Sequence, residues 1–268
     1  MSEGLCRFCG EKKKLIKAHV VPGPFYTHYI NPKEKTHLIT IDKEKSYESR
    51  CPTGFYDQNI LCEDCDRKIG VYDQEAQQLL FSNINGYKRE VKGLCAYIIP
   101  AQAYDYKKLK LFFISVLWRA SISSADPFKN VNLEPEYEKL ALEILKNSEL
   151  ENEKTFPVFI FKLKETEGIR IERIFIEPIP YSLYGIKMYK FVFAGYAFYI
   201  KVDVRELGLP YSRLILRPNS ELVIIERPPI EEIYDVNTIS SARKQSKNAQ
   251  KFTERTSGIL QKMLPTDH

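Results

Sequence analysis

The stretches Cys6-Arg7-Phe8-Cys9-Gly10 and Cys62-Glu63-Asp64-Cys65 decide how the first third of this chain folds. Two residues between a pair of cysteines form a tight knuckle that lets both thiolates converge on one metal, and Gly10 tolerates the left-handed turn that follows. Two knuckles supply four sulfur ligands, the closed tetrahedral set of a structural Zn2+. Closing the long loop between them stabilises a segment with little core of its own. Six cysteines are also enough for three disulfides. The chain opens without a basic region followed by an apolar run, however, so an oxidising compartment is not expected and metal binding is the better reading. Cys51 and Cys95 have no partner at knuckle spacing and read as ordinary thiols.

Outward from the knuckles, the 268 residues are 44% hydrophobic, enough for one large domain or two modest ones and too apolar for a disordered chain. A net charge of +5 and a pI near 8.7 permit contact with nucleic acid without demanding it. Residues 1–90 hold fourteen Lys plus Arg against thirteen Asp plus Glu, so no strongly basic face is written into that segment. No window approaches the roughly eighteen apolar residues of a membrane span, and a cytoplasmic protein without membrane contact is expected.

The organisation expected is an α+β chain in three parts. Residues 1–90 form the small zinc-clamped unit, 91–234 an accessory α+β domain, and 235–268 a basic tail carrying Arg243, Lys244, Lys247, Lys251, Arg255 and Lys262. Within 91–234, Leu109, Phe112, Phe113, Val116, Leu117 and Ala120 recur at helical spacing and predict an amphipathic helix over 106–122, with Trp118 in the core and Arg119 at the surface. A second helix is expected over 134–147, with Pro135 in its first turn. Strands are expected at 158–164, 169–176, 190–202, 213–216 and 222–225, forming an antiparallel sheet in which Gly195 marks a hairpin turn or a bulge.

Between the knuckles lie Lys17-Ala18-His19-Val20-Val21-Pro22 and Tyr56-Asp57-Gln58-Asn59-Ile60-Leu61. A first Cys-x-x-Cys, a His-x-x-Pro stretch, an asparagine leading into two apolar residues and a second Cys-x-x-Cys resembles, in that order, the HNH endonuclease superfamily. The resemblance covers the chain to about Leu80. It implies a ββα-metal fold clamped by zinc and a metal-dependent nuclease that hydrolyses phosphodiester bonds in DNA. His19 matches the general base, a task that suits a neutral imidazole near pH 7. Asn59 matches the residue that holds the loop bearing the base. Asp66 stands where many members carry a histidine that binds the catalytic metal, and a carboxylate suits Mg2+ or Mn2+ there. Attack by water would leave a 5′ phosphate.

The chain departs from that pattern at Ala18, where many members carry a further metal ligand. Asp57 is the nearest candidate replacement, by strand alternation with Asn59. Asp73 reads instead as the N-cap of a helix running through Leu80. Each residue also has a structural reading: Asp66 as a helix start, Asn59 as a turn residue, His19 as a loop histidine, with His28 in reserve for the base and His37 set aside. Lys14 and Lys17, and Arg67 and Lys68 beside the second knuckle, are candidates for seating a phosphate backbone, alongside the null of an ordinary solvated surface. Two alternatives stand beside the nuclease. One is a non-catalytic zinc-knuckle module that binds nucleic acid or protein; the other, by analogy alone, is a phage-defence or mobile-element effector. The accessory domain would recognise substrate, a protein partner or a second copy of the chain.

Overall fold

In the computed structural model, which describes residues 3–28, 38–41, 49–51, 54–91, 93–150, 152–165 and 171–228, the first knuckle joins strands β1 (Glu3–Leu5) and β2 (Lys12–Lys14). Strand β3 (Ala18–His19) and the short helix α1 (Gly23–Thr27) follow, then β4 (Leu38–Ile41) and β5 (Ser49–Cys51), which pair with each other. Strand β6 (Tyr56–Asp57) returns to pair antiparallel with β3. Helix α2 (Glu63–Gln77) starts on the second knuckle with Cys62 as its N-cap. Its first turn carries Glu63, Asp64 and Asp66, where the helix dipole favours negative charge. Asp73 is therefore not an N-cap. It lies well inside α2, because the knuckle itself starts the helix eleven residues earlier than an N-cap at Asp73 would.

The remaining strands are β7 (Lys88–Val91), β8 (Leu94–Ile99), β9 (Val158–Leu163), β10 (Ile174–Leu183), β11 (Ile186–Phe193), β12 (Tyr196–Lys201) and β13 (Leu222–Arg227). Among the described residues they form, with β4 and β5, a nine-stranded sheet in the order β5-β4-β10-β11-β12-β9-β13-β8-β7. The sheet is mixed rather than antiparallel, since β10 runs parallel to β4 and β13 parallel to β9. Gly195 makes a hairpin turn: Phe193 pairs with Tyr196, and Ala194 and Gly195 both take positive φ, the two-residue turn whose twist matches the flanking strands. The strand expected over 213–216 is absent. Tyr211–Leu214 is a 3-10 turn that buries Tyr211 and Leu214 among Phe159, Phe161 and Tyr199 on one sheet face.

Helices α3 (Tyr106–Ile122) and α4 (Pro135–Asn147) pack on the other face. Asp105 caps α3 by accepting from the Lys108 N–H at 3.0 Å. The helix is less amphipathic than its apolar spacing suggests: every residue from Leu109 to Ala120 is buried, Lys110, Ser115 and Arg119 included. A helix covered on all sides sits between layers, here between the sheet, through Phe113 and Phe198 at 5.3 Å, and α2. The boundary expected at residue 90 falls within β7, and the largest core cluster runs from Cys6 to Ile224. No helix among the described residues is long and apolar enough to cross a membrane. His37 and the basic tail 235–268 lie outside the described residues.

Candidate functional site

Two turns bring the four paired cysteines together. Gly10 takes φ 78° and donates its N–H to the Cys6 carbonyl at 2.8 Å, which closes the first knuckle. The second knuckle is tied to the first by an Arg7 N–H to Ile60 O bond and a Leu15–Cys62 bridge. All four sulfurs lie within 4.8 Å of one another. Tetrahedral thiolates at a Zn–S distance of about 2.3 Å sit roughly 3.8 Å apart, so the cluster needs little contraction to hold Zn2+. Burial pushes the Cys6 thiol up, but N–H groups of Cys9, Cys62 and Phe8 outweigh it and hold it at about 7. Burial pushes Cys9 and Cys65 up; the Glu11 N–H opposes it at Cys9 without reversing it, and neighbouring sulfurs add to it at Cys65, a crowding that a dication relieves. The knuckle docks on the rest of the chain through Phe8, whose ring meets Trp118 edge-on at 5.8 Å.

His19 stands at the end of β3, opposite Tyr56. Its ring is half-buried, 6.2 Å from the rings of Tyr26 and Tyr56, and closes over Gly23, whose Cβ, if present, would touch it at 3.6 Å. Asp66 lies in the first turn of α2, the helix that follows the β3–β6 pair, and is half-buried. Burial pushes its carboxyl above the usual carboxylate range, while the charges of Arg119 and His19 pull the other way. The two residues therefore occupy one electrostatic neighbourhood, reached from β3 on one side and α2 on the other.

Asp57 faces elsewhere. Directly opposed residues in an antiparallel pair share a sheet face, and Asp57 is opposed to the buried Ala18, not to His19. Its Oδ1 accepts from the Asn59 N–H at 2.8 Å. Its Oδ2 accepts from the Ser124 N–H at 2.7 Å, the Ser124 hydroxyl at 2.9 Å and the Ser123 hydroxyl at 3.1 Å. Burial raises this carboxyl and the four donors more than reverse it, holding it below the usual carboxylate range. Asn59 sits in the turn that Asp57 closes, with its residue exposed. Strand alternation does not relate the two, since β6 ends at Asp57.

Arg119 is the residue the sequence hides. Expected at the surface, it is 1% exposed. Its guanidinium holds Asp73 with both branches, Nη2 to Oδ1 at 2.8 Å and Nη1 to Oδ2 at 3.3 Å. Nη1 also donates to the His19 carbonyl at 3.1 Å, and Nε to the Ser115 carbonyl at 3.4 Å. The signal that could have found it is its own helix face: Phe112, Ser115 and Val116 precede it at one-turn spacing, so a charge there is buried and needs a carboxylate.

The basic residues divide. Lys17 is exposed beside the site, its Nζ 5.1 Å over the Tyr56 ring. Lys14 is exposed on β2, opposite Glu3. Lys68 turns away, donating to the Lys146 carbonyl at the end of α4 at 2.7 Å and covering Phe8. Arg67 pairs with Glu63 at 2.9 Å on the exposed side of α2. His28 stacks on Phe81 at 4.3 Å, apart from the contacts of His19. The chain matches no protein-family model, no curated protein and no solved structure.

Proposed function

We propose that this chain is a metal-dependent endonuclease of the HNH type, hydrolysing phosphodiester bonds in DNA, with His19 as general base and a divalent cation bound at Asp66. The observation that carries the reading is the β3–β6 pair between the two cysteine knuckles, with α2 starting on the second, an arrangement in which the charge of His19 acts on the carboxyl of Asp66. Zn2+ on Cys6, Cys9, Cys62 and Cys65 would be structural, because four protein sulfurs leave no open position for a reacting group. Mg2+ or Mn2+ at Asp66 would supply Lewis-acid stabilisation of the leaving oxygen. His19 takes the proton from the attacking water; the rings of Tyr26 and Tyr56 flank its imidazole, and the missing side chain at Gly23 leaves room beside it. Lys17 and Lys14 are exposed cations that would meet phosphates, and Asn59 acts through the turn it shares with Asp57.

One observation favours a second reading, a zinc-knuckle module that binds nucleic acid or protein without cutting. Ala18 offers no ligand, and the oxygens of Asp57 are taken up by four donors on the opposite face. Plasmid nicking with Mg2+, Mn2+ and Ni2+ separates the two. The nuclease reading expects cleavage by wild type and at least about a 100-fold loss in His19→Ala, the lower end of the range for removing a general base. Silence of the wild type under every metal, or equal cutting by His19→Ala, refutes it. Binding of DNA without cutting would then support the module.

A further inference from the structure

Helix α3 lies beyond the first ninety residues, yet its last turn and the two serines that follow it grip both strands of the pair that carries His19. We propose that this turn is a positioning clamp for the candidate base, with Arg119 as its principal residue, so that the N-terminal site is complete only with a side chain from α3. The proposal rests on the nuclease reading of His19 for its catalytic consequence and on geometry alone for the clamp itself.

Two separate grips hold the pair. On β3, Arg119 binds the His19 carbonyl at 3.1 Å while holding Asp73 of α2 with both branches of its fork. One guanidinium thus fixes the strand bearing His19 against the helix bearing Asp66. On β6, Ser123 and Ser124, the first residues beyond α3, give three donors to Asp57. The strands are too short to hold their own register: β3 and β6 contribute two residues each. Isolated two-stranded pairs are marginal even when longer, so the pair depends on external anchors. Arginine suits the first grip, because a rigid fork can satisfy a carboxylate and a carbonyl together, whereas a lysine ammonium on a flexible stem reaches one of them at a time. A displacement of about 1 Å at a catalytic group is enough to cost on the order of 100-fold in rate.

The experiment uses the full-length zinc-loaded protein with Arg119→Lys, and Arg119→Gln combined with Asp73→Asn, which removes both buried charges together and avoids stranding one. Nicking kinetics and hydrogen exchange are read in parallel. The clamp predicts a 10- to 100-fold fall in kcat with KM changed less than threefold and one zinc per chain retained. It also predicts at least tenfold faster amide exchange across 18–22 and 56–58, with β9 and β12 unchanged. Because a merely structural role would loosen the sheet as well, exchange confined to the β3–β6 pair is the distinguishing result. Exchange that stays at the wild-type rate in both variants, or rises equally in β9 and β12, overturns the proposal, as does a kcat within threefold of an active wild type. If the wild type cuts nothing, the nuclease reading fails by itself, and the exchange arm still decides the clamp.

Discussion

Replacing Asp57 tests whether its carboxylate anchors the backbone or binds a cation. The side chain is 4% exposed and accepts four hydrogen bonds, two from backbone N–H groups and two from hydroxyls. Stranding a donor away from water costs about 1–3 kcal/mol, whereas serine hydroxyls can rotate toward other acceptors. Two stranded N–H groups and a lost ionic acceptor therefore put Asp57→Ala at about 3–5 kcal/mol. Asp57→Asn does little better, at about 3 kcal/mol, because its amide NH2 must face at least one of the same donors. Since burial raises this carboxyl and the donors bring it below its ordinary value, its stabilisation is complete above the unfolded pKa and fades as pH falls through the folded one. The difference between wild type and Asp57→Asn should be full at pH 7 and shrink below about pH 4. With a urea slope of about 3 kcal/mol/M, the midpoint at pH 7 should drop by about 1 M or more. A drop below 0.3 M (roughly 1 kcal/mol at the same slope), or a difference undiminished at pH 3, refutes the anchor. Loss of Mn2+ binding with stability intact would instead restore Asp57 as a ligand.

Metal analysis of the purified protein should give one zinc per chain, and stripping it should lower the melting midpoint by roughly 10–20 °C, several kcal/mol for a protein of this size. An unchanged melt after zinc removal counts against the cluster as a clamp. Lys110, fully buried in α3 with its ammonium on the Phe156 carbonyl at 2.6 Å, is brought down by burial to about 7. Between pH 7 and the ordinary lysine range the unfolded chain binds the extra proton, so stability rises with pH across that window, by roughly 5 kcal/mol at most. In Lys110→Met the rise should disappear from pH-dependent urea midpoints; its persistence would show that another group causes it.

What was legible in the sequence is what neighbouring residues decide among themselves. The knuckles, the bounds of α3, the start of α4 at Pro135 and the turn at Ala194-Gly195 depend on spacing, caps and backbone freedom within a few positions. The sheet order was not legible, because β4 joins β10, and β13 joins β9, across long stretches of chain. Nothing in Leu38–Ile41 announces a partner more than a hundred residues away. The strand expected over 213–216 gives way to the 3-10 turn at Tyr211–Leu214 for a related reason. Its apolar residues are buried, but against a sheet face rather than within a ladder.

The candidate site shows the same limit at the scale of single residues. Asp73 followed by a helical pattern reads as a cap, and Arg119 on an otherwise apolar helix reads as its wet side; each inference is sound locally. Forty-six positions separate them, and only their meeting reveals that neither is at the surface. Once paired, they change what the first third of the chain can be. A pair of two-residue strands held by Arg119 on β3 and by Ser123 and Ser124 on β6 depends on α3 and the residues after it. On the nuclease reading, zinc held by the four cysteines would account for the framework, and α3 for the aim of His19 within it. A fault in either would silence the site by a different route: loss of zinc through unfolding around the knuckles, loss of Arg119 through misplacement of a histidine in a protein that still folds.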